Sequence, residues 1–483
     1  MSKLELKVFG SNDSRSGYIS WSPVPFIISN KSNQLFSFSL TNRSDQASIS
    51  RVVFLEKLED DPKDELKLSI GPNKDISLFV AGKFQPGKVH NGASRDSKDV
   101  IIEAINNDNN SRLGAVKVMI RVRKNANELS NKARGDFLNA IAKLNGIKVD
   151  GDIFPGPGKG VYITDFVEMH VTGAAASEHG DSHFLPWHRL YVLDLERQLQ
   201  VLNPLVTIPY WKFDKPAPKV FTKDFMGSTK QIPRDTKDRG GVFDRGGANT
   251  PNAVFALDNP LFKWQIKNRN GIPRTARFNV KNEPANGAIF YGPDNNPIDF
   301  ELLDELSTLA LGVDNTKPDG AEFGAGGEKF SSLEGTPHGA AHVSFNGFIN
   351  DTSMAPQDPL FFLLHCNVDR LWAKWQYLFN RHSQSDSKSY PYQNIGDSSD
   401  SWKLINSKQW PWNGGLSEPD GINPPGTRNQ NFTKALTGKD FPDNVPEIKD
   451  TIDMLGYEDF SNYMGFAYDD VPYEPYTNQN IPT

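Results

Sequence analysis

Nine histidines occur in the 483-residue chain, and seven of them fall in two short windows: His170, His179, His183 and His188, then His338, His342 and His365. Clustering of this kind points to metal chemistry, because a neutral imidazole offers one ring nitrogen as a ligand while the other fixes the ring's orientation. His338 and His342 are four residues apart, so on a helix they project from one face and can share an ion, with His365 presented across a bundle by the next helix. The first window offers His170, His179 and His188 in the same manner, and His183 is expected to support the site or to be exposed. Imidazole suits zinc, copper, iron and nickel, so ligand type alone leaves the metal open. No histidine in either window has a glutamate three residues before it, as a carboxylate-bridged di-iron bundle requires, and the pattern His-Glu-x-x-His is absent. Two all-imidazole sites, each three-coordinate, leave their metals open to a shared ligand, and neutral nitrogens favour a Cu(I) pair that one dioxygen can oxidise.

The elements that must position these residues follow from periodicity. From about Leu4 to Lys124 apolar residues alternate, as in Leu4/Leu6/Val8, Phe36/Phe38/Leu40 and Val116/Val118/Ile120/Val122, with turn-forming clusters between the runs. This pattern predicts an antiparallel β-sandwich over residues 1–125. The period changes near Asn125, and residues 126–483 read as a second, mainly α-helical domain with long loops and a C-terminal tail. Its strongest helices are expected over Trp187–Val201 and Pro359–Phe379. Asp358 can cap the second of these, and Pro359 suits a first helical position. Both helices carry a histidine inside the apolar stripe, His188 in one and His365 in the other. Gly/Pro/Asn-rich stretches at about 214–296 and 383–431 are expected to be ordered loops over the helical core.

Composition excludes several alternatives. Hydrophobic residues make up 37% and charged residues 23%, a globular balance. The net charge of −6 and the absence of a basic run interleaved with aromatics argue against nucleic acid as a partner. Neither a secretory leader nor an apolar stretch of about 18 residues is evident, so no membrane association and a cytoplasmic location are expected. A lone cysteine, Cys366, forbids an intramolecular disulfide and removes multi-cysteine zinc frameworks. His90 and His382 are expected at the surface.

The segments His179-Gly-Asp-Ser-His-Phe-Leu-Pro-Trp-His188-Arg and Asp358-Pro-Leu-Phe-Phe-Leu-Leu-His365-Cys-Asn-Val-Asp-Arg-Leu-Trp372 resemble the two copper-binding motifs of the tyrosinase, catechol oxidase and polyphenol oxidase family. Pro209-Tyr-Trp-Lys-Phe-Asp between them matches as well, and the likeness runs from about Leu129 to Tyr468. The resemblance implies a type-3 centre of two copper ions. His170, His179 and His188 would hold the first, and His338, His342 and His365 the second. It also implies dioxygen and a small phenolic substrate, oxidation of phenols or catechols to o-quinones, and a helical bundle about the metals. Glu334 would hold a water that helps deprotonate a phenol, while Gly339, Val343, Ser353 and Met354 would lie about the substrate. Two departures bear on this. Leu364 stands where the family usually has a second adjacent histidine, and Gly339 stands where an asparagine usually partners the glutamate. The second departure favours diphenol or o-aminophenol oxidation over the monophenol step. A haemocyanin-like dioxygen carrier, which uses similar ligands but blocks substrate, is the alternative of another class. In the tail, tyrosines 457, 463, 468, 473 and 476 are expected mainly to pack, with entry of one into the copper pocket as the alternative.

Overall fold

Among the described residues, alternating apolar positions in the first 120 form nine strands, because period-two patterning lets one face of each strand be buried. The computed structural model describes residues 3–8, 18–19, 23–44, 51–57, 60–83, 100–149, 162–174, 179–180, 182–231, 249–288, 290–291, 297–298, 304–314, 316, 320–324, 329–396, 401–413, 432–433, 441, 445–454 and 464–471. The strands are β1 (Leu4–Val8), β2 (Tyr18–Ile19), β3 (Val24–Asn30), β4 (Phe36–Ser44), β5 (Arg51–Leu55), β6 (Leu66–Ile70), β7 (Asp75–Lys83), β8 (Val100–Asn106) and β9 (Arg112–Ile120). They make a four-stranded sheet in the order β1-β3-β7-β5 and a five-stranded sheet in the order β2-β9-β8-β4-β6. Phe26, Ile28, Phe38, Leu40, Phe54, Val80 and Ile102 fill a common core between the strands. One pairing departs from the antiparallel expectation. Tyr18–Ile19 lies parallel to Met119–Ile120, a register open to a two-residue strand that arrives by a long connection rather than a hairpin.

The last of these strands ends at Ile120, and the first helical turn begins at Ala126. Among the described residues, helix is then concentrated in three long segments, α1 (Asn131–Leu144), α3 (Phe184–Leu202) and α6 (Leu360–Phe379), with short pieces α2 (Ile163–Glu168), α4 (Glu305–Leu309) and α5 (Ala340–Val343) between them. Ser130 caps α1 by accepting the Ala133 N–H. At α6 the Asp358 carboxylate accepts the Leu360 N–H at 2.9 Å, but Pro359, expected as the first helical residue, occupies the cap position and the helix starts one residue later. Both α3 and α6 are buried on nearly every face and pack on each other and on segments that run over them. No helix among the described residues is long and apolar enough to cross a membrane.

The Gly/Pro-rich stretch after Asp214 contains real structure. Arg274–Ala276 pairs antiparallel with Phe345–Gly347, which follows closely after His342, and parallel with Lys230–Gln231. Gly347 is obligatory there, since it has φ +103° and a Cβ on it would meet the Pro273 carbonyl oxygen at 1.9 Å.

Residues 464–471 run alongside the segment that follows the β-strands. Arg123 N–H donates to Ala467 O at 2.8 Å, and Asp469 N–H donates to Arg123 O at 3.0 Å. The Tyr210 hydroxyl and the Asn125 N–H both donate to the Asp469 carboxylate. Burial pushes the Asp469 carboxyl up to about 7, and repulsion from Asp470 adds to it. Asp470 differs: burial would raise it too, but Arg370, Lys374 and Lys212 hold it well below the usual carboxylate range. A carboxyl raised on folding binds its proton more tightly in the folded chain. Its contribution to stability is therefore complete below the unfolded value of about 3.9 and is lost as pH rises through about 7. Asp469→Asn keeps an acceptor for Tyr210 and cannot ionise, so urea midpoints should favour the variant increasingly between about pH 4 and 7. A constant gap between parent and variant across that range would reject this assignment.

Candidate metal centre

Each proposed ligand reaches the centre from its own element. His170 sits in a π-helical turn, Met169–Ala174, that prolongs α2, and such turns often mark sites where a side chain must be re-aimed. His179 lies half-buried in the segment before α3. His188 is one turn into α3, where its Nδ1 lies 2.8 Å from Phe184 O. His338 belongs to a second π-helical turn, Gly335–Gly339, and His342 to α5, so the expected four-residue spacing survives across two kinds of turn. His365 is one turn into α6.

The six imidazoles form two groups of three, His170/His179/His188 and His338/His342/His365, with the candidate ligand atoms in each group within 4.8 Å of one another. The groups meet where the His188 and His365 rings stack at 4.4 Å, with 17° between their planes. In the second group, His338 Nδ1 lies 2.7 Å from Glu334 O and His342 Nδ1 lies 2.6 Å from Ile349 O. A carbonyl oxygen only accepts, so both Nδ1 atoms carry the proton and both Nε2 atoms present lone pairs. Those two Nε2 atoms each lie 3.3 Å from His365 Nε2. Nitrogens about 2.0 Å from one ion and 3.3 Å from each other subtend close to the tetrahedral angle, so the donor set fits a soft or borderline cation. In the first group His188 Nε2 and His170 Nε2 are buried without a hydrogen-bond partner among the described residues, as ligand atoms are before a metal is counted.

Electrostatics hold these rings in the coordinating form. Burial, and then the neighbouring imidazoles, push His170, His188, His338 and His365 well below the ordinary histidine value. Burial likewise pushes His342 down to about 4. All five are neutral near pH 7, the state in which imidazole binds metal.

Two phenylalanines lie between the groups. Phe184 packs at 4.3 Å from His188 and 4.7 Å from His338. Phe361 stacks on His365 at 4.0 Å and meets His170 edge-on at 4.9 Å. In the sequence both residues stand inside the two histidine motifs with no role of their own. The signal was present, because each precedes a helix-borne ligand by four residues and so stands directly beneath it on the helix.

The remaining expectations divide. Glu334 is half-buried, and its Oε1 accepts the Gly180 N–H at 2.7 Å; a carboxylate so engaged retains further acceptor capacity. Gly339 and Val343 lie on the same short turns as His338 and His342. Met354 is half-buried, whereas Ser353 is exposed and bonds through N–H and hydroxyl to Asp351 Oδ1. Thr352 between them brings its backbone to His170. His183 joins neither group: its Nε2 lies 2.7 Å from Gln409 Oε1, and its ring is 4.9 Å from that of Trp402. Leu364 is fully buried. His382, expected at the surface, is 2% exposed, and burial followed by repulsion from Arg189 pushes it down to about 3. Three residues beyond the end of the histidine helix were too few to suggest that the chain would fold back over it. His90 and tyrosines 457, 463, 473 and 476 lie outside the described residues. Tyr468 packs against Tyr210 and Phe466 and donates its hydroxyl to Asp369.

Residues 162–378 match the common central domain of tyrosinase. The chain is 29% identical over 297 residues to the tyrosinase of Streptomyces glaucescens, covering 60% of this chain and 92% of that protein. It is 29% identical over 293 residues to the grixazone synthase of Streptomyces griseus, covering 53% of this chain and 85% of that one. Among solved structures, the tyrosinase of Burkholderia thailandensis aligns with a TM-score of 0.39 and 16% identity over 74% of each chain. All six clustered imidazoles fall inside the matched segment, so the part of the chain that is similar to the common central domain of tyrosinase is the part that brings the two histidine groups together.

Proposed function

We propose that the chain uses a type-3 pair of coppers to oxidise phenols or catechols to o-quinones at the expense of dioxygen. The observation that carries this reading is the meeting of two three-imidazole groups at the His188/His365 stack, with two lone pairs of the second group aimed at one point. When bound, the two coppers supply redox chemistry and a binding place for dioxygen, a task no side chain performs.

The protein's part is preorganisation. His170, His179 and His188 would hold one ion, and His338, His342 and His365 the other. Backbone carbonyls of Phe184, Glu334 and Ile349 fix three of the rings, and outer contacts of this type are worth about 10–100-fold in metal affinity. Phe184 and Phe361 keep the space between the groups apolar, which strengthens electrostatic interactions with a substrate anion. Gly339, Val343, Ser353 and Met354 would border the phenol. We further propose a division into an N-terminal β-sandwich, residues 1–125, and a helical dicopper domain, residues 126–483.

Gly339 beside the second metal group offers no side-chain amide to work with Glu334, and this favours catechols or o-aminophenols over monophenols. Oxygen uptake by copper-loaded protein, compared across tyrosine, a catechol and an o-aminophenol, tests both levels of the reading. Turnover is expected with the latter two and at least about tenfold less with tyrosine, a discrimination of about 1.4 kcal/mol in the barrier. Reversible oxygen binding without net consumption would identify a carrier and end the oxidase reading.

A further inference from the structure

We propose that Glu334 is a positioning residue for both metal sites at once, its backbone fixing a ligand of the second and its carboxylate fixing the loop that carries His179. The inference rests on the dicopper reading above. Among the six clustered imidazoles, His179 is the one whose own residue lies outside the described helices and π-helical turns. The next residue, Gly180, has φ +85°, a conformation that L side chains rarely adopt, and its N–H donates to Glu334 Oε1 at 2.7 Å. The partners are 154 residues apart in sequence, so this contact fastens the loop of one site to the frame of the other. The same Glu334 accepts His338 Nδ1–H through its backbone oxygen at 2.7 Å. A short path therefore runs from His179 through Gly180 and Glu334 to His338. A carboxylate acceptor gives a charge-assisted bond, stronger than a neutral one.

The two roles can be separated, because a substitution at position 334 removes the side chain and leaves the carbonyl. Copper-loaded parent, Glu334→Ala and Glu334→Gln would be titrated with a chelator while bound copper is counted and the Cu(II) EPR signal integrated. In the Ala variant one ion should leave at about tenfold lower chelator concentration, and the other should stay at the parent affinity. The half-loaded chain should then show the signal of one isolated Cu(II), where the coupled pair is silent. The Gln variant keeps an acceptor for Gly180 N–H and should restore two ions. Gly180→Ala disturbs the other partner and should reproduce the loss of a single ion, which guards against a folding defect peculiar to position 334.

Loss of both ions together would overturn the proposal, as would a Gln variant that leaks like the Ala one. Retention of both ions by the Ala variant with slowed monophenol turnover would also overturn it and would assign Glu334 to proton handling instead. A parent chain that binds no copper would overturn the dicopper reading and this proposal with it.

Discussion

A His365→Ala chain should bind one copper rather than two and lose catechol oxidation by at least about 10³-fold, several kcal/mol of barrier. His365 is the point at which the two groups touch. Its Nε2 lies 3.3 Å from those of both His338 and His342, and its ring stacks on His188 and on Phe361. Without it the second group has two nitrogens on one flank, which cannot close a three-coordinate site, whereas His170, His179 and His188 keep their own supports. The loss should therefore be confined to one ion, and the remaining copper should give an uncoupled EPR signal. Removing a buried ring also leaves a void, which lowers stability by a few kcal/mol through packing alone. His365→Gln, which fills more of that space, separates the effects: it should recover much of the stability and none of the turnover. Activity within about tenfold of the parent in either variant would place the chemistry elsewhere.

The clustering of the six imidazoles was legible because its signal is local. Spacing put His338 beside His342, and apolar stripes put His188 and His365 on helices that the structure finds at Phe184–Leu202 and Leu360–Phe379, within three residues of where periodicity set their starts and ends. The alternating strands were legible for the same reason, with β1 burying Leu4, Leu6 and Val8 as patterned. The π-helical turns around His170 and His338 were not, because they depend on how one turn adapts to a distant neighbour. The contact of Gly180 with Glu334 joins residues with no shared period, and no rule of spacing reports it. The parallel placement of β2 beside β9 is likewise set by packing, since a two-residue strand carries too little pattern to choose a direction.

The least legible feature is also the one with the largest expected effect on stability. Asp369 lies one turn beyond His365 and is buried with two arginines, 180 and 246 residues away in sequence. Its Oδ1 accepts Arg189 Nε, while its Oδ2 accepts Arg123 at 3.0 Å and the Tyr468 hydroxyl. Arg189 directly follows His188, so this carboxylate binds the helix of one metal group to the helix of the other. Arg123 brings in the segment after the β-strands, and Tyr468 brings in residues near the C-terminal end. Both guanidiniums lie over aromatic faces, Arg189 on Trp372 at 3.6 Å and Arg123 on Phe466 at 3.8 Å. Glu196 supplies a second carboxylate to this cluster, accepting Arg123 at 2.9 Å. In the parent two positive and two negative groups balance; Asp369→Ala leaves an excess buried positive charge. Breaking such a cluster from one side costs about 3–5 kcal/mol, since the charge left behind can neither return to water nor shed its proton. Urea denaturation of the metal-free protein should show that loss. Asp369→Asn should recover little of it, because an amide restores an acceptor but not the charge. Adding Arg189→Met to Asp369→Leu should recover more, since replacing paired charges by apolar groups is far less costly than orphaning one. A change under about 1 kcal/mol for Asp369→Ala would mean that water reaches the arginines, and the clasp between the two histidine helices would have to be sought in their apolar packing instead.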